Sequence, residues 1–277
     1  EDLIINVRDA GIFYWDQSDG VSTRAVAISD LTNSVSAPTI AKQVLVSDKD
    51  RHVVVFGCDS ESNPGVQDPL LIRFSDQENV LVWNSLVTNT AGDLRIGSGS
   101  KIVAAIAVED SVYWMGAEEF YVYGGAVQRL PCSVRDYVFN DINNSQLEKV
   151  TASTNTAFAE IMWLYPSASS SECDSYVVYN YQQQIWYYGT LSRTVWLDRG
   201  VESDPIAAGT DHFLYSHEVG FDDGSTSPSS AISAYIESSQ MDMGDGERFV
   251  FMKRMIPDLT FRDSTAATPA ATMILKT

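Results

Sequence analysis

The chain has 277 residues, 44% of them hydrophobic and 11% aromatic, enough for one or two domains with a sizeable core and too apolar for a disordered segment. Its 37 acids against 18 bases give a net charge of −19, which argues against a surface that grips nucleic-acid phosphates or anionic lipid. The same acidity keeps a large β protein soluble, and it leaves room for a nucleic acid that passes by without sticking.

Three cysteines, Cys58, Cys132 and Cys173, lie far apart with no CxxC. They point away from a disulfide framework or a zinc site and toward assembly in a reducing cytoplasm. The longest apolar run, 102–108, is strand-length and well short of the roughly 18 residues of a membrane helix, so no membrane segment is expected. Glu1 opens directly on a strand with no signal-like segment, and the absence of an initiator Met points to a longer parent chain.

In chain order, 3–7 (LIINV) and 11–15 (GIFYW) read as two strands joined at 8–10. Residues 21–43, rich in Ser, Thr and Asn, read as a connector with a short helix or loop at 25–31. Residues 43–47 and 52–56 form a hairpin whose turn is Asp48, Lys49 and Asp50. Residues 57–68, polar and carrying Pro64 and Gly65, read as a loop. Residues 70–74 and 80–83 pair across 75–79, and 88–100, with Gly92, Gly97 and Gly99, is a loop or an edge. Residues 101–109 run from one unit into the next with almost no connector. The reading is that residues are absent from the chain near 102–105, so that blade counting fails there. Residues 111–115 and 120–123 form a hairpin around 116–119, and 134–144 is the best helical candidate. Residues 150–157 and 160–165 pair and are stopped by Pro166. The clearest hairpin is 176–179 with 185–188, flanking the polar turn 180–184 and stopped by Gly189. Residues 205–209 and 212–217 pair, and 221–230 is a turn-rich linker. From about 231 the character changes: 231–241 alternates as a strand would, and 249–256 and 259–261 read as strands broken by Pro257.

An aromatic strand, a small polar turn and a Trp- or Tyr-bearing return strand recur along the chain. The fold class is therefore all-β and β-propeller-like over 1–230, with a further β module, a sandwich being one form of it, over 231–277.

Chemistry is harder to find. His occurs three times, at His52, His212 and His217; the last two sit five apart around a strand with no third ligand, which reads as a turn or surface role rather than a metal site. No GxSxG, P-loop, GxGxxG or HExxH motif occurs, and Gly97 to Ser100 lacks the context of a nucleophile elbow. The acidic pairs Glu118 and Glu119, Asp222 and Asp223, and Asp242 with Asp245 sit at Gly-flanked turns, which explains them without catalysis. Asp242, Gly244, Asp245, Gly246 and Glu247 do not match the EF-hand calcium spacing. Trp15, Trp83, Trp114, Trp163, Trp186 and Trp196 fall in or beside strands and read as packing between sheets rather than a ligand platform. Lys253 and Arg254 form the one notable basic pair, inside an apolar run suited to an interface ion pair. No catalytic, cofactor-binding or metal-ligating residue is assigned, and the chain is read as a non-enzyme.

Several phrases resemble the large tail proteins of short-tailed phages: RAVAISDL (24–31), VLVSDKDRHVVVFGCD (44–59), DPLLIRFSDQENVLVW (68–83), TNTAGDLRIGSGSKIV (88–103), YWMGAEEFYVYGGAVQRLPCSVRDYVFNDIN (113–143), YVVYNYQQQIWYYGT (176–190) and AISAYIESSQMDMGDG (231–246). The resemblance covers most of the chain and rests on these phrases, with no catalytic signature. It implies a virion structural protein of the tail-nozzle, tail-tubular or packaged-DNA-stabilisation type. Such a protein has a propeller fold with added β modules and forms a hexameric ring below the portal and adaptor, alongside tail fibres or spikes. Double-stranded DNA passes through the ring without sequence-specific binding. The protein is assembled in the host cytoplasm and resides in the virion tail. The family pattern also carries extra residues near 102–105 and continues beyond 277. The family has no catalytic residues, and no cofactor is implied.

A negative wall suits that role, since it repels DNA phosphates over about 8–10 Å at physiological salt and so acts only in a narrow bore. Two alternatives remain: a propeller-type glycan hydrolase used as a depolymerase, which needs carboxylates converging in a pocket, and a receptor-binding tail adhesin.

Overall fold

A computed structural model describes residues 2–47, 50–86, 90–97 and 101–220, and beyond them 222, 223, 230–232, 251, 253, 254, 256–261 and 268–274. The chain divides into two compact units, Glu1–Gly220 and Phe221–Thr277.

The first unit is built from five antiparallel sheets that follow one another along the chain. Sheet 1 comprises β1 (Leu3–Asn6), β2 (Ile12–Trp15) and β3 (Val26–Ala27). Sheet 2 begins with β4 (Gln43–Val46) and β5 (Val53–Phe56). A small hairpin, β6 (Asp59–Ser60) and β7 (Asn63–Gln67), is inserted before its last strands, β8 (Leu71–Phe74) and β9 (Gly92–Arg95). Sheet 3 is β10 (Ala104–Val108), β11 (Ser111–Met115), β12 (Phe120–Tyr123) and β13 (Val127–Leu130). A short helix, α1 (Arg135–Asp141), leads to sheet 4: β14 (Thr151–Asn155), β15 (Glu160–Tyr165), β16 (Ser175–Asn180) and β17 (Ile185–Thr190). Sheet 5 is β18 (Arg193–Leu197), β19 (Ile206–Gly209) and β20 (Leu214–Ser216). The first strands of successive sheets touch in series: β1 with β4, β4 with β10, β10 with β14, and β14 with β18. Up-and-down sheets stacked in this way form a five-bladed β-propeller arrangement, as the repeated hairpins predict.

Alternation along each strand builds the core, because successive side chains leave a strand on opposite faces. On β15, Ile161, Trp163 and Tyr165 join Met115 and Phe120 of sheet 3, whereas Met162 and Leu164 join Trp196 and Ala207 of sheet 5. On β5, Val53 and Val55 pack toward sheet 1 and Phe56 toward sheet 3. A continuously apolar run such as IMWLY at 161–165 is thus one that has a neighbouring sheet on each side. In sheets 1 and 5, by contrast, Leu3, Ile5, Val195, Leu197 and Leu214 are exposed.

Polar side chains tie the sheets where backbones cannot. The Gln43 amide accepts from the Ala105 N–H at 2.9 Å and donates to the Ala105 carbonyl at 2.6 Å, linking β4 to β10. Trp163 Nε1 donates to the Ala104 carbonyl at 3.2 Å, and Trp196 Nε1 to the Thr154 carbonyl at 3.1 Å. The indoles thus fill the space between sheets and bridge it, as their sequence positions suggest.

Three expectations need correction. Residues 80–83 do not return against β8; β9 does, with Leu71 opposite Arg95. Val82 makes only a single bridge to Val35, and Trp83 is a core plug whose Nε1 donates to the nearby Val80 carbonyl at 2.7 Å. Its aromatic content therefore signals burial and not a ladder. β9 is an edge strand of sheet 2, one of the two readings given for 88–100, and its short Gly-Asp-Leu-Arg run with two exposed polar positions carries too weak a pattern to name its partner. The loop expected at 57–68 instead contains the β6–β7 hairpin, with Gly65 at φ 81°. It is pinned by the buried Asp59 carboxylate, which accepts from the N–H groups of Thr39 at 2.9 Å, Ile40 at 3.3 Å and Gly65 at 2.7 Å. The linker expected at 221–230 includes a small strand pair, β21 (Asp222–Asp223) with β22 (Ser230–Ala231).

In the second unit, the described residues of the strands expected at 249–256 and 259–261 carry no regular structure. Most of the strand expected at 231–241 lies outside the described residues, as do Asp242, Gly244, Asp245, Gly246 and Glu247.

Candidate functional site

A cleft of about 380 Å³ lies between sheets 2 and 3 of the first unit. Its walls are the facing surfaces of the two sheets. Sheet 2 contributes Val54 and Phe56 from β5, Ile72 and Phe74 from β8, and Leu94 from β9; sheet 3 contributes Ala107, Val112, Trp114 and Tyr123. At one end these faces close into a core that includes Phe56, Ile72, Ile102 and Ala105, with Trp114 stacked on Tyr121 at 5.4 Å. At the other end they part, between the β4–β5 turn and the β10–β11 turn.

Those two turns supply the rim. Asp50 and Ser47 come from the first, and Glu109, Asp110 and Ser111 from the second. Val108 pairs with Ser111, so only Glu109 and Asp110 form the β10–β11 connection, and Glu109 holds φ at 52°. A non-glycine residue in that region is strained, and the tight turn projects both acids at the strand ends. His52 closes the side of the cleft. Its Nδ1 lies 2.7 Å from the Ser75 carbonyl, which can only accept, so Nδ1 is the donor in this contact. The imidazole meets Phe74 edge-on at 5.9 Å. The result is an aromatic and aliphatic floor under an acidic rim, with no Lys or Arg among the described lining residues.

The other singled-out residues are dispersed. His212 sits at a turn with φ 71°. His217 Nε2 instead accepts from Arg193 Nε at 3.0 Å, and its ring packs on Trp196 at 4.7 Å. Burial, reinforced by the Arg193 charge, pushes His217 down to about 4. Arg193 also lies 3.8 Å over the Tyr215 ring. Among the described residues, no group of three or more His, Cys, Asp or Glu is placed to hold a metal ion.

Glu119 is drawn into an ion cluster, receiving Arg135 Nε at 2.7 Å and a second contact from Arg129, while Arg135 also meets Asp136 at 2.7 Å. Asp222 and Asp223 lie in β21. The three thiols are free; burial pushes Cys58 and Cys173 up to about 12 and Cys132 up to about 11. A thiol so shifted is a core side chain and a poor nucleophile.

The cleft was not foreseen from the sequence, although two of the hairpins that form it, 43–47 with 52–56 and 111–115 with 120–123, were expected. Its residues are scattered from Ser47 to Tyr123, and only the pairing of two whole sheets brings them together.

No family model and no curated protein matches the chain. Among solved structures it is similar to the N-terminal domain of Nup159, with a TM-score of 0.43 and 7% identity, over 86% of this chain and 64% of that one. It is also similar to a chain in a S. cerevisiae complex of dbp5 with nup159, gle1, ip6 and adp, with a TM-score of 0.42 and 6% identity, over 86% of this chain and 63% of that one. The chain thus spans somewhat less than two thirds of the length of these structures.

Proposed function

We propose that the chain is a structural protein of a phage tail, a nozzle-type wall element that assembles as a hexameric ring and lets packaged double-stranded DNA pass. The phrase-level resemblance to tail proteins of short-tailed phages motivates this reading. The observation that supports it in the folded chain is the disposition of charge. The bases are few, and among the described residues several are paired: Arg95 with Asp68, Arg129 and Arg135 with Glu119, and Lys149 with Glu172 at 2.5 Å. Arg73 is buried and donates to the Ser36 and Asp59 carbonyls. With 37 acids against 18 bases, the surplus that makes up the −19 is carboxylate. Around a narrow bore, such a wall repels phosphates within about a Debye length, 8–10 Å, and offers no basic patch on which DNA would stall.

Negative-stain imaging and mass measurement of the purified protein test the reading. The expected result is a six-fold ring whose lumen is lined by Asp and Glu. A trimer would favour an adhesin, and a bore lined by Lys and Arg would end the conduit reading altogether.

A further inference from the structure

We propose that Asn155, Glu160 and Glu218 bind a calcium ion where the end of sheet 4 meets the segment that leaves sheet 5. This goes beyond the wall-protein reading and does not depend on ring formation. Asn155 ends β14 and stands directly opposite Glu160, the first residue of β15. Residues paired in this way share a face of the sheet, with Cβ atoms about 4.5–5.5 Å apart. The Asn155 Nδ2 donates to Glu218 Oε1 at 3.3 Å, which turns the same amide toward a second carboxylate. Glu218 follows β20, so the two acids are brought together from different sheets. Asn155 is 4% exposed, and its Oδ1 is shut off from solvent without a hydrogen-bond partner. A buried carbonyl oxygen left in this way asks for a donor or a cation to complete it.

Calcium suits this donor set. It is a hard cation that takes amide and carboxylate oxygens together, tolerates irregular geometry and fills the rest of its shell with water. Burial pushes the Glu160 carboxyl up, the Tyr187 hydroxyl bonded to it pulls it down, and the Glu218 charge raises it again. A divalent ion between the two carboxylates removes that repulsion. Other chemistries fit worse. Zinc asks for nitrogen or sulfur, and His217 spends its Nε2 on Arg193 at 3.0 Å. A partner's Lys ammonium would match the charge, but it is bulkier than a bare ion and Oδ1 has no opening to solvent. Asp198 is not a ligand, because it accepts from Thr154 Oγ1 at 3.0 Å and from the Thr156 N–H at 2.9 Å. Glu218 is exposed, and its side chain can swing aside to admit the ion.

The test titrates calcium chloride into the full chain, stripped of metal with a chelator, and follows the heat, the melting temperature and the Asn155 side-chain amide signals by NMR. Calcium should bind with a Kd on the order of 0.1–1 mM, as suits a site with only two carboxylates. It should move the Asn155 signals and raise the melting temperature, because the ion binds the folded chain alone. Glu218→Gln, at an exposed position, should weaken binding about tenfold and erase the thermal shift, since ligand charge sets the affinity. Asn155→Asp keeps the oxygen and adds a charge, so it should tighten binding about threefold or more. Should a change at Asn155 disturb folding, Glu218→Gln and the NMR titration of the unaltered chain answer the same question. Calcium binding that Glu218→Gln leaves unchanged puts the ion elsewhere and overturns the proposal. So do Asn155 signals that stay still, no calcium binding at all, or a response at Asn155 to methylammonium and not to calcium.

Discussion

Replacing Gln43 with Leu should loosen the joint between sheets 2 and 3 without touching either sheet's own ladder. Ala105 lies on β10, the first strand of its sheet, and is 1% exposed. Its backbone N–H and C=O both point to Gln43, at 2.9 and 2.6 Å. Leu keeps the volume but offers neither an acceptor nor a donor. Two buried backbone groups then lose their partners, at about 1–3 kcal/mol each. Relaxation and water entry recover part of this, so the expected loss is about 2–4 kcal/mol. For a unit of this size that corresponds to roughly 4–16 °C in melting temperature. Urea unfolding followed by tryptophan fluorescence reads the effect directly, because Trp114 and Trp163 flank the joint. Gln43→Glu is the informative companion: one oxygen still accepts from the Ala105 N–H, but the other faces the Ala105 carbonyl and has nothing to donate. It should be no more stable than the Leu variant above neutral pH. A Gln43→Leu loss below about 0.5 kcal/mol, within the range of an ordinary surface substitution, would refute the idea that this side chain couples the sheets.

Further outcomes follow from the same geometry. Asp59→Ala should cost about 3 kcal/mol or more in urea unfolding, since the N–H groups of Thr39, Ile40 and Gly65 lose one shared acceptor in a buried site. His217, held neutral by burial and Arg193 and pushed down to about 4, takes its proton later than an unfolded histidine near 6.5. Its contribution to stability is therefore complete above about pH 6.5 and lost as pH falls toward 4; an NMR titration midpoint at 6 or higher would contradict this. Arg193→Met should raise that midpoint. Native protein at pH 8 should leave Cys58, Cys132 and Cys173 unreactive toward a thiol reagent, whereas denaturation should release all three.

Hairpins closed by short turns were within reach of the sequence, because a period-two pattern and a polar turn are both local. Residues 176–179 with 185–188, and 111–115 with 120–123, appear as β16–β17 and β11–β12 with the expected partners. The helix expected within 134–144 appears as α1 over Arg135–Asp141. Pairings across longer loops were not within reach. β8 finds β9 past residues 75–91, where Trp83 looked like the nearer partner. Burial makes a core plug and a strand equally apolar, and only the ladder tells them apart.

From composition and alternation alone, this chain is an acidic protein of stacked sheets joined by indoles. Those traits are carried by single residues and their immediate neighbours. Which sheet lies against which, that Gln43 reaches Ala105, and that Asp50 comes to face Glu109 and Asp110 over an aromatic floor were decided only in three dimensions. These contacts join residues some sixty positions apart, and their free energy comes from surfaces that do not exist until whole blades have formed and stacked.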